Sequence, residues 1–275
     1  MTLSSFQQFT GGLPDPGGQK MPLLFIGHGS PMNGIEDNEF SRRWQQMGKD
    51  IPRPAAVLVV SAHWFTRGTH ITAMDHPQTI HDFGGFPQAL FDVQYPAPGD
   101  PQLAATAASL IHTAPVGLSH DWGLDHGAWT VVRHMYPKAD IPVLQLSIDF
   151  TKDGPYHYGL AKELSILRKK GVLIIGSGNM VHNLRLVSWE MIHGGGYDWA
   201  IAMNERFKQL ILDGDHAALA NYENLGKEAQ LAIPTPEHYL PLLYILALQE
   251  KNETISLFND KAIGGSLTMT SVKIG

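Results

Sequence analysis

Two short apolar runs in this chain each stop at a histidine. One is Phe25-Ile26-Gly27-His28-Gly29-Ser30-Pro31; the other is Val57-Leu58-Val59-Val60-Ser61-Ala62-His63-Trp64. A run of four to six aliphatic residues closed by turn signals reads as a buried strand of a parallel sheet, covered on both faces. In open parallel sheets, residues just past the carboxyl ends of the strands line the ligand crevice. Two strands can therefore deliver His28 and His63 to one edge, and imidazole is the commonest side-chain ligand for a transition metal. The pattern points to a metalloenzyme.

The rest of the chain supplies a sheet for such an edge. Strands are expected at Leu23–Gly27, Ala56–Ser61, Pro142–Ser147 and Val172–Gly176, with weaker ones at His70–Met74 and Pro115–Leu118. Helical stretches lie between and after them, at Asp37–Met47, Gln102–His112, Trp129–Met135, Tyr156–Lys169, Trp199–Leu212 and Glu237–Leu248. Strands alternating with helices argue for an α/β fold, a mainly parallel sheet flanked by helices with the metal site at the carboxyl ends of its strands. Thr254–Phe258 and Ser266–Lys273 read as edge strands, antiparallel to the rest. No linker divides residues 21–275, so they form a single domain. Two Gly/Pro-rich stretches, 75–100 and 187–198, are long enough for loops that cover a crevice.

Composition narrows the chemistry. Twenty Lys and Arg against 26 Asp and Glu leave a net charge of −6, and no basic cluster interleaved with aromatics offers a nucleic-acid groove. The absence of cysteine removes disulfides, thiolate ligands and a cysteine nucleophile together. Any metal must be held by histidine, carboxylate or backbone oxygen. Residues 1–20 lack the basic and apolar regions of a secretory signal and, with Gly and Pro crowded at 11–18, read as a flexible leader. No apolar stretch approaches the ~20 residues needed to cross a bilayer. A cytoplasmic enzyme acting on a small molecule is expected, and its oligomeric state is not encoded in any recognisable pattern.

Of the 14 histidines, His70, His76, His112, His134, His157, His193 and His216 sit in loops or on helices without strand-end context and are read as structural. Five stand apart: His28, His63, His126, His182 and His238. His182 follows Val172–Gly176 and the turn Ser177-Gly178-Asn179. His126, in Gly123-Leu124-Asp125-His126-Gly127-Ala128-Trp129, sits at a helix start, either functional or merely beside a capping Asp125. His238 lies in Pro234-Thr235-Pro236-Glu237-His238-Tyr239, where Thr235 is placed to cap a helix with Pro236 in its first turn. A first-turn position disfavours the charged imidazole, which keeps this ring available as a ligand. Zinc-protease, nucleophile-elbow, dinucleotide and phosphate-loop signatures are all missing.

The ordered set GHGSPM, SAHWFTRG, IHDFGGFP, LDHGAW, GSGNMVHNLR and PTPEHYLPLLY resembles the class III extradiol ring-cleavage dioxygenases, and more closely their bacterial and plant 4,5-DOPA extradiol dioxygenase branch. The likeness runs from about residue 21 to the C-terminus. It implies a single α/β domain with one metal ion at the strand ends, His28 and His63 as metal ligands, His182 as a catalytic histidine beside the metal, and His126 facing substrate and dioxygen. Many extradiol enzymes complete the ligand set with a carboxylate. This branch offers His238 instead, beside Glu237. Three neutral imidazoles leave the site more positive than the usual triad, which admits zinc as well as iron.

The residue types suit that chemistry on their own terms. A ferrous ion with three protein ligands keeps open positions for a catechol and O2, and serves as template and electron conduit. Ring opening beside the diol also needs a proton moved off a hydroxyl and returned, work for a neutral histidine such as His182. Trp64, Phe83, Phe86 and Trp129 are candidate aromatic walls, and Arg67 and Arg185 candidate clamps for a substrate carboxylate. The same three-histidine set also suits a zinc hydrolase of peptides or amides with Glu237 as base, an alternative of a different class.

Overall fold

The computed structural model describes residues 20–275. The expected leader therefore lies outside the described residues, except Lys20. Lys20 is tied down, with its Nζ 2.7 Å from Glu253 and 3.0 Å from Glu250.

Strands β1 (Leu23–Gly27), β2 (Ala56–Thr66), β3 (Thr69–Thr72), β4 (Val116–Ser119), β5 (Val143–Asp149), β6 (Val172–Gly178), β7 (Ile255–Phe258) and β10 (Ser271–Ile274) build one eight-stranded sheet. Its order is β4-β3-β5-β2-β6-β1-β10-β7, and β8 (Ala262–Ile263) pairs with β9 (Leu267–Thr268) apart from it. The β5-β2-β6-β1 centre is parallel throughout. Strands β3 against β5, and β10 against both β1 and β7, run antiparallel. The fold is the expected α/β domain with a mostly parallel sheet. Central strands β1, β5 and β6 are buried along their whole length, which is why they read as unbroken apolar runs.

Helices cover both faces. The first, α1 (Glu39–Asp50), opens on a capping box in which Asn38 accepts from the Ser41 amide, while the Ser41 hydroxyl accepts from the amide of Asn38. Phe40, Trp44 and Met47 recur at helical spacing and bury against one face of the sheet, joined there by Trp129 and Val132 of α3 (His126–Met135). The opposite face carries α2 (Pro101–Leu110), α4 (Gly154–Ala161), α5 (Asp198–Asp213) and α6 (Leu240–Ala247). Leu103, Leu160, Phe207 and Leu243 from these helices share one apolar cluster with Leu58, Val60 and Ile174 of the strands.

Several expected boundaries move, each for a local reason. Strand β2 does not end at Ser61; it runs on to Thr66 through a bulge, advancing five residues from Val60 to Phe65 while β5 advances two from Leu146 to Ile148. The helix expected over Tyr156–Lys169 breaks into α4, a 3-10 turn at Lys162–Leu164 and a short helix at Ser165–Lys169. The expected strand Ser266–Lys273 is divided between β9 and β10, and β10 is no edge but lies between β1 and β7. Helix α6 starts at Leu240, so Pro236, Glu237 and His238 form the turn before it rather than its first turn. The Tyr239 and Leu240 amides both donate to the Pro236 carbonyl there. No described helix is long and apolar enough to cross a membrane.

Candidate metal centre

The five histidines singled out by the sequence meet above the carboxyl ends of β2, β6 and β1, three neighbours in the sheet. His28 is the first residue past β1, and its amide donates to the carbonyl of Gly178 at the end of β6. His63 lies within β2, on the bulged stretch, rather than past a strand end. The bulge supplies the extra residues that re-aim its ring. His238 is brought in by a close backbone approach: Asn179 N–H donates to the His238 carbonyl at 2.9 Å, and a Cβ on Gly178 would lie 2.0 Å from that oxygen. Gly127 has the same role beside His63, since a Cβ there would meet Ser61 Oγ at 2.5 Å and the His63 ring at 2.9 Å.

Nitrogen atoms of His28, His63 and His238 all lie within 4.8 Å of one another. The Nε2 atoms of His28 and His63 are 3.0 Å apart, the spacing of two nitrogens that share one ion at about 2.0–2.1 Å each. The outer nitrogens are all spoken for. Ser177 Oγ donates its proton to the Gly127 carbonyl and so offers a lone pair to His28 Nδ1 at 3.0 Å. His63 Nδ1 faces Asp82 at 3.4 Å, and His238 Nδ1 faces Glu237 at 3.3 Å. In each ring an acceptor stands at Nδ1, which puts the proton there and leaves the Nε2 lone pair free. The donor set fits a metal ion.

Burial pushes all of these imidazoles toward the neutral form. His28 and His238 fall well below the usual histidine value, chiefly through burial and then through neighbouring histidines. His63 is lowered to about 3 and His182 to about 4, again with burial first. Such a cluster of uncharged lone pairs is ready to take up a cation without first shedding protons. His182 stacks flat on His238, centroids 3.5 Å apart, and its backbone amide is fixed on the Ala232 carbonyl. His126 lies 3.8 Å from His63 between ring centroids, at the first position of α3. Asp125 does cap that helix, accepting from the Ala128 amide, and is itself held by Ser61 and Gln145 at 2.7 Å each. Burial raises the Asp125 carboxyl above its ordinary value.

The histidines form the floor of a cavity of about 830 Å³, a size that takes a ligand well beyond a single ring. The family described as the catalytic LigB subunit of aromatic ring-opening dioxygenase matches residues 22–267. The chain belongs to this family. A protein of Escherichia coli (strain K12) named 4,5-DOPA dioxygenase extradiol is 51% identical over 262 residues, covering 93% of this chain and 95% of its own. One of the same name from Beta vulgaris is 36% identical, over 91% of this chain and 95% of its own. The crystal structure of an uncharacterised Escherichia coli K12 protein superposes with a TM-score of 0.81 at 44% identity, over 93% of this chain and all of the other. The chain is thus a catechol extradiol dioxygenase by kinship.

Other readings of the dioxygenase sequence need correction. His193, set aside as structural, lines the cavity, whereas His157 is structural, bonded to Tyr244 and to the Asp149 carbonyl. Of the four aromatic candidates only Phe86 lines the cavity; Phe83 touches the His126 ring, Trp129 is wholly buried and Trp64 stacks on Trp122. Arg67, over the Phe150 ring, and Arg185 do not line it, but Arg42 does. Glu237 Oε1 accepts the Thr235 hydroxyl at 2.7 Å and faces His238 Nδ1 at 3.3 Å. Asp82 escaped notice. It sits in the IHDFGGFP stretch, where a carboxylate among Gly and aromatic residues in a long loop is the only signal.

Proposed function

We propose that this enzyme opens the ring of a catechol carrying a DOPA-like side chain, using O2 beside the diol to give a muconate-semialdehyde-type product. A single ion held by His28, His63 and His238 serves the reaction, Fe(II) in the working enzyme, with Zn(II) able to occupy the same ligands. The observation that carries this reading is the convergence of a ring nitrogen each from His28, His63 and His238 on the floor of one large cavity. Bound there, a ferrous ion would supply the template on which ring and dioxygen exchange electrons.

The chain's own groups do the rest. His182, neutral and beside His238, takes the proton of the second catechol hydroxyl and returns it as the ring opens, a role worth about 10²–10⁴-fold. His126 faces the bound ring and dioxygen from the His63 side. Apolar residues Leu184, Val187, Ile192 and Leu267 line the cavity with Phe86 and exclude water from the reacting atoms. Glu36, Asp37, Glu39 and Arg42 line it too, Arg42 lying 3.2 Å from Asp37, and give charges of both signs for the ammonium and carboxylate of an amino-acid side chain. The test is anaerobic loading with Fe(II), then a catechol and air. Stoichiometric oxygen uptake with a yellow product is expected; oxygen uptake by neither the iron nor the zinc form would overturn the reading.

A further inference from the structure

Among the described residues, Asp82 is the one carboxylate within 4 Å of ring nitrogens of two clustered histidines. Its Oδ1 accepts the backbone N–H of His126 at 2.8 Å, and its Oδ2 lies 2.9 Å from His126 Nδ1 and 3.4 Å from His63 Nδ1. Both oxygens are thereby committed to N–H groups on the far side of the rings from the cavity floor. The loop that carries Asp82 is pinned on either side of it. The Ile80 amide donates to the Leu124 carbonyl, the Ile80 carbonyl accepts from Trp129 Nε1 at 2.9 Å, and Phe83 packs edge-on against the His126 ring.

We infer that Asp82 is a positioning residue that sets the tautomer of His63 and His126 together, an inference that rests on the dioxygenase reading for its effect on turnover. With a carboxylate opposite both Nδ1 atoms, each ring carries its proton there. The Nε2 of His63 is then a lone pair among the atoms of His28 and His238. The Nε2 of His126, in the ring that lines the cavity, is likewise an acceptor, and any proton it gains is balanced by the carboxylate behind it. The ring nitrogens of His63 and His126 and a carboxylate oxygen of Asp82 also lie within 4.8 Å of one another, compact enough to hold a cation. The carboxylate oxygens, however, already face N–H donors, so Asp82 acts through the rings and not on the ion.

Asparagine is nearly the same shape as aspartate but presents an N–H₂ where Oδ2 now accepts. In Asp82→Asn that amide faces His126 Nδ1, and the ring must turn its proton to Nε2, as happens when the aspartate behind a catalytic histidine is amidated. The experiment compares wild type and Asp82→Asn, both loaded with zinc and labelled with ¹⁵N at histidine, by ring NMR, and measures metal content and steady-state kinetics on the iron-loaded forms. Wild-type His63 and His126 should carry hydrogen at Nδ1. In the variant His126 should invert, kcat should fall by about 10²–10⁴-fold with KM little changed, and metal should remain bound, with affinity weakened about 10–100-fold. Nε2–H signals for both rings in the wild type would overturn the inference whether or not the variant folds. So would a variant with wild-type kcat, and loss of all metal from a folded variant would make Asp82 a ligand instead. If the predicted tautomers and inversion appear but no catechol is opened by the wild type, the tautomer assignment stands and the dioxygenase reading fails.

Discussion

The two ends of the central strands bury polar groups in opposite ways. At the amino ends of β1 and β6, Arg168 is almost completely enclosed, yet its donors all find partners. Nε donates to the Met21 carbonyl, Nη1 to the Leu248 carbonyl, and Nη1 and Nη2 grip Glu253 at 3.0 and 2.7 Å. At the carboxyl ends, five histidines crowd together, and His28, His63 and His238 have an acceptor at Nδ1 and bring ring nitrogens within 4.8 Å of one another. Natural interiors leave few polar atoms unpaired, so a closed knot reads as structure and an open one as a site awaiting a ligand. The contrast predicts that substitutions at one end cost stability and at the other cost metal and turnover.

The largest effect belongs to the proposed ligands. His28→Ala and His63→Ala should each lose bound metal and essentially all activity while keeping the fold, since a site with three protein ligands cannot spare one; metal analysis beside a thermal melt checks both halves. His182→Ala is expected to keep its metal and lose roughly 10²-fold or more in turnover, because proton transfer goes while the ligand set remains. Single-turnover oxygen uptake on the same sample decides it, and loss of metal there would move His182 among the ligands. A smaller loss, about 10–100-fold, is expected for Glu237→Ala, whose carboxylate orients His238 from behind.

At the other end the sign reverses. Glu253→Gln should leave kcat and metal untouched while costing about 3 kcal/mol in denaturant unfolding, the usual penalty for stranding one member of a buried ion pair. Acid separates the two ends further. Glu253 is held down to about 2, as Arg168 and Lys20 outweigh its burial, so its contribution is complete above the ordinary carboxylate range near 4.5 and lost as pH falls toward 2. His63, held near 3 by burial, binds its proton in the unfolded chain from about 6.5 downward. Unfolding of the metal-free protein should therefore begin to ease below pH 6.5, with a second decline below pH 4.5 that Glu253→Gln flattens.

How far the sequence foretold this difference depends on the range of the interactions. The apolar runs of β1 and β6 and the glycines around His28 are local signals, and they placed the central strands and His28 past the end of β1, whereas His63 lies inside β2. The bulge in β2 was invisible because it is defined by pairing with β5, 80 residues away, and the turn at 234–239 hid because capping residues look alike before a helix and inside a turn. Asp82 and Arg168 went unseen for a related reason. Each is an ordinary charged residue whose partners come from other elements of the fold, His63 and His126 for Asp82 and Leu248 and Glu253 for Arg168, and only the fold shows that both are committed.

The central claim is that His28, His63 and His238 share one ion, with Glu237 behind them. Metal content of His238→Ala and Glu237→Ala, each reconstituted anaerobically with Fe(II) and freed of excess, tests it most directly. In the turn before α6, Glu237 Oε1 accepts from Thr235 and faces the His238 ring from behind, the arrangement of a residue that orients a ligand. The account predicts an empty site in His238→Ala and stoichiometric iron in Glu237→Ala. Iron retained by His238→Ala and lost from Glu237→Ala would contradict it and give the enzyme a two-histidine, one-carboxylate centre.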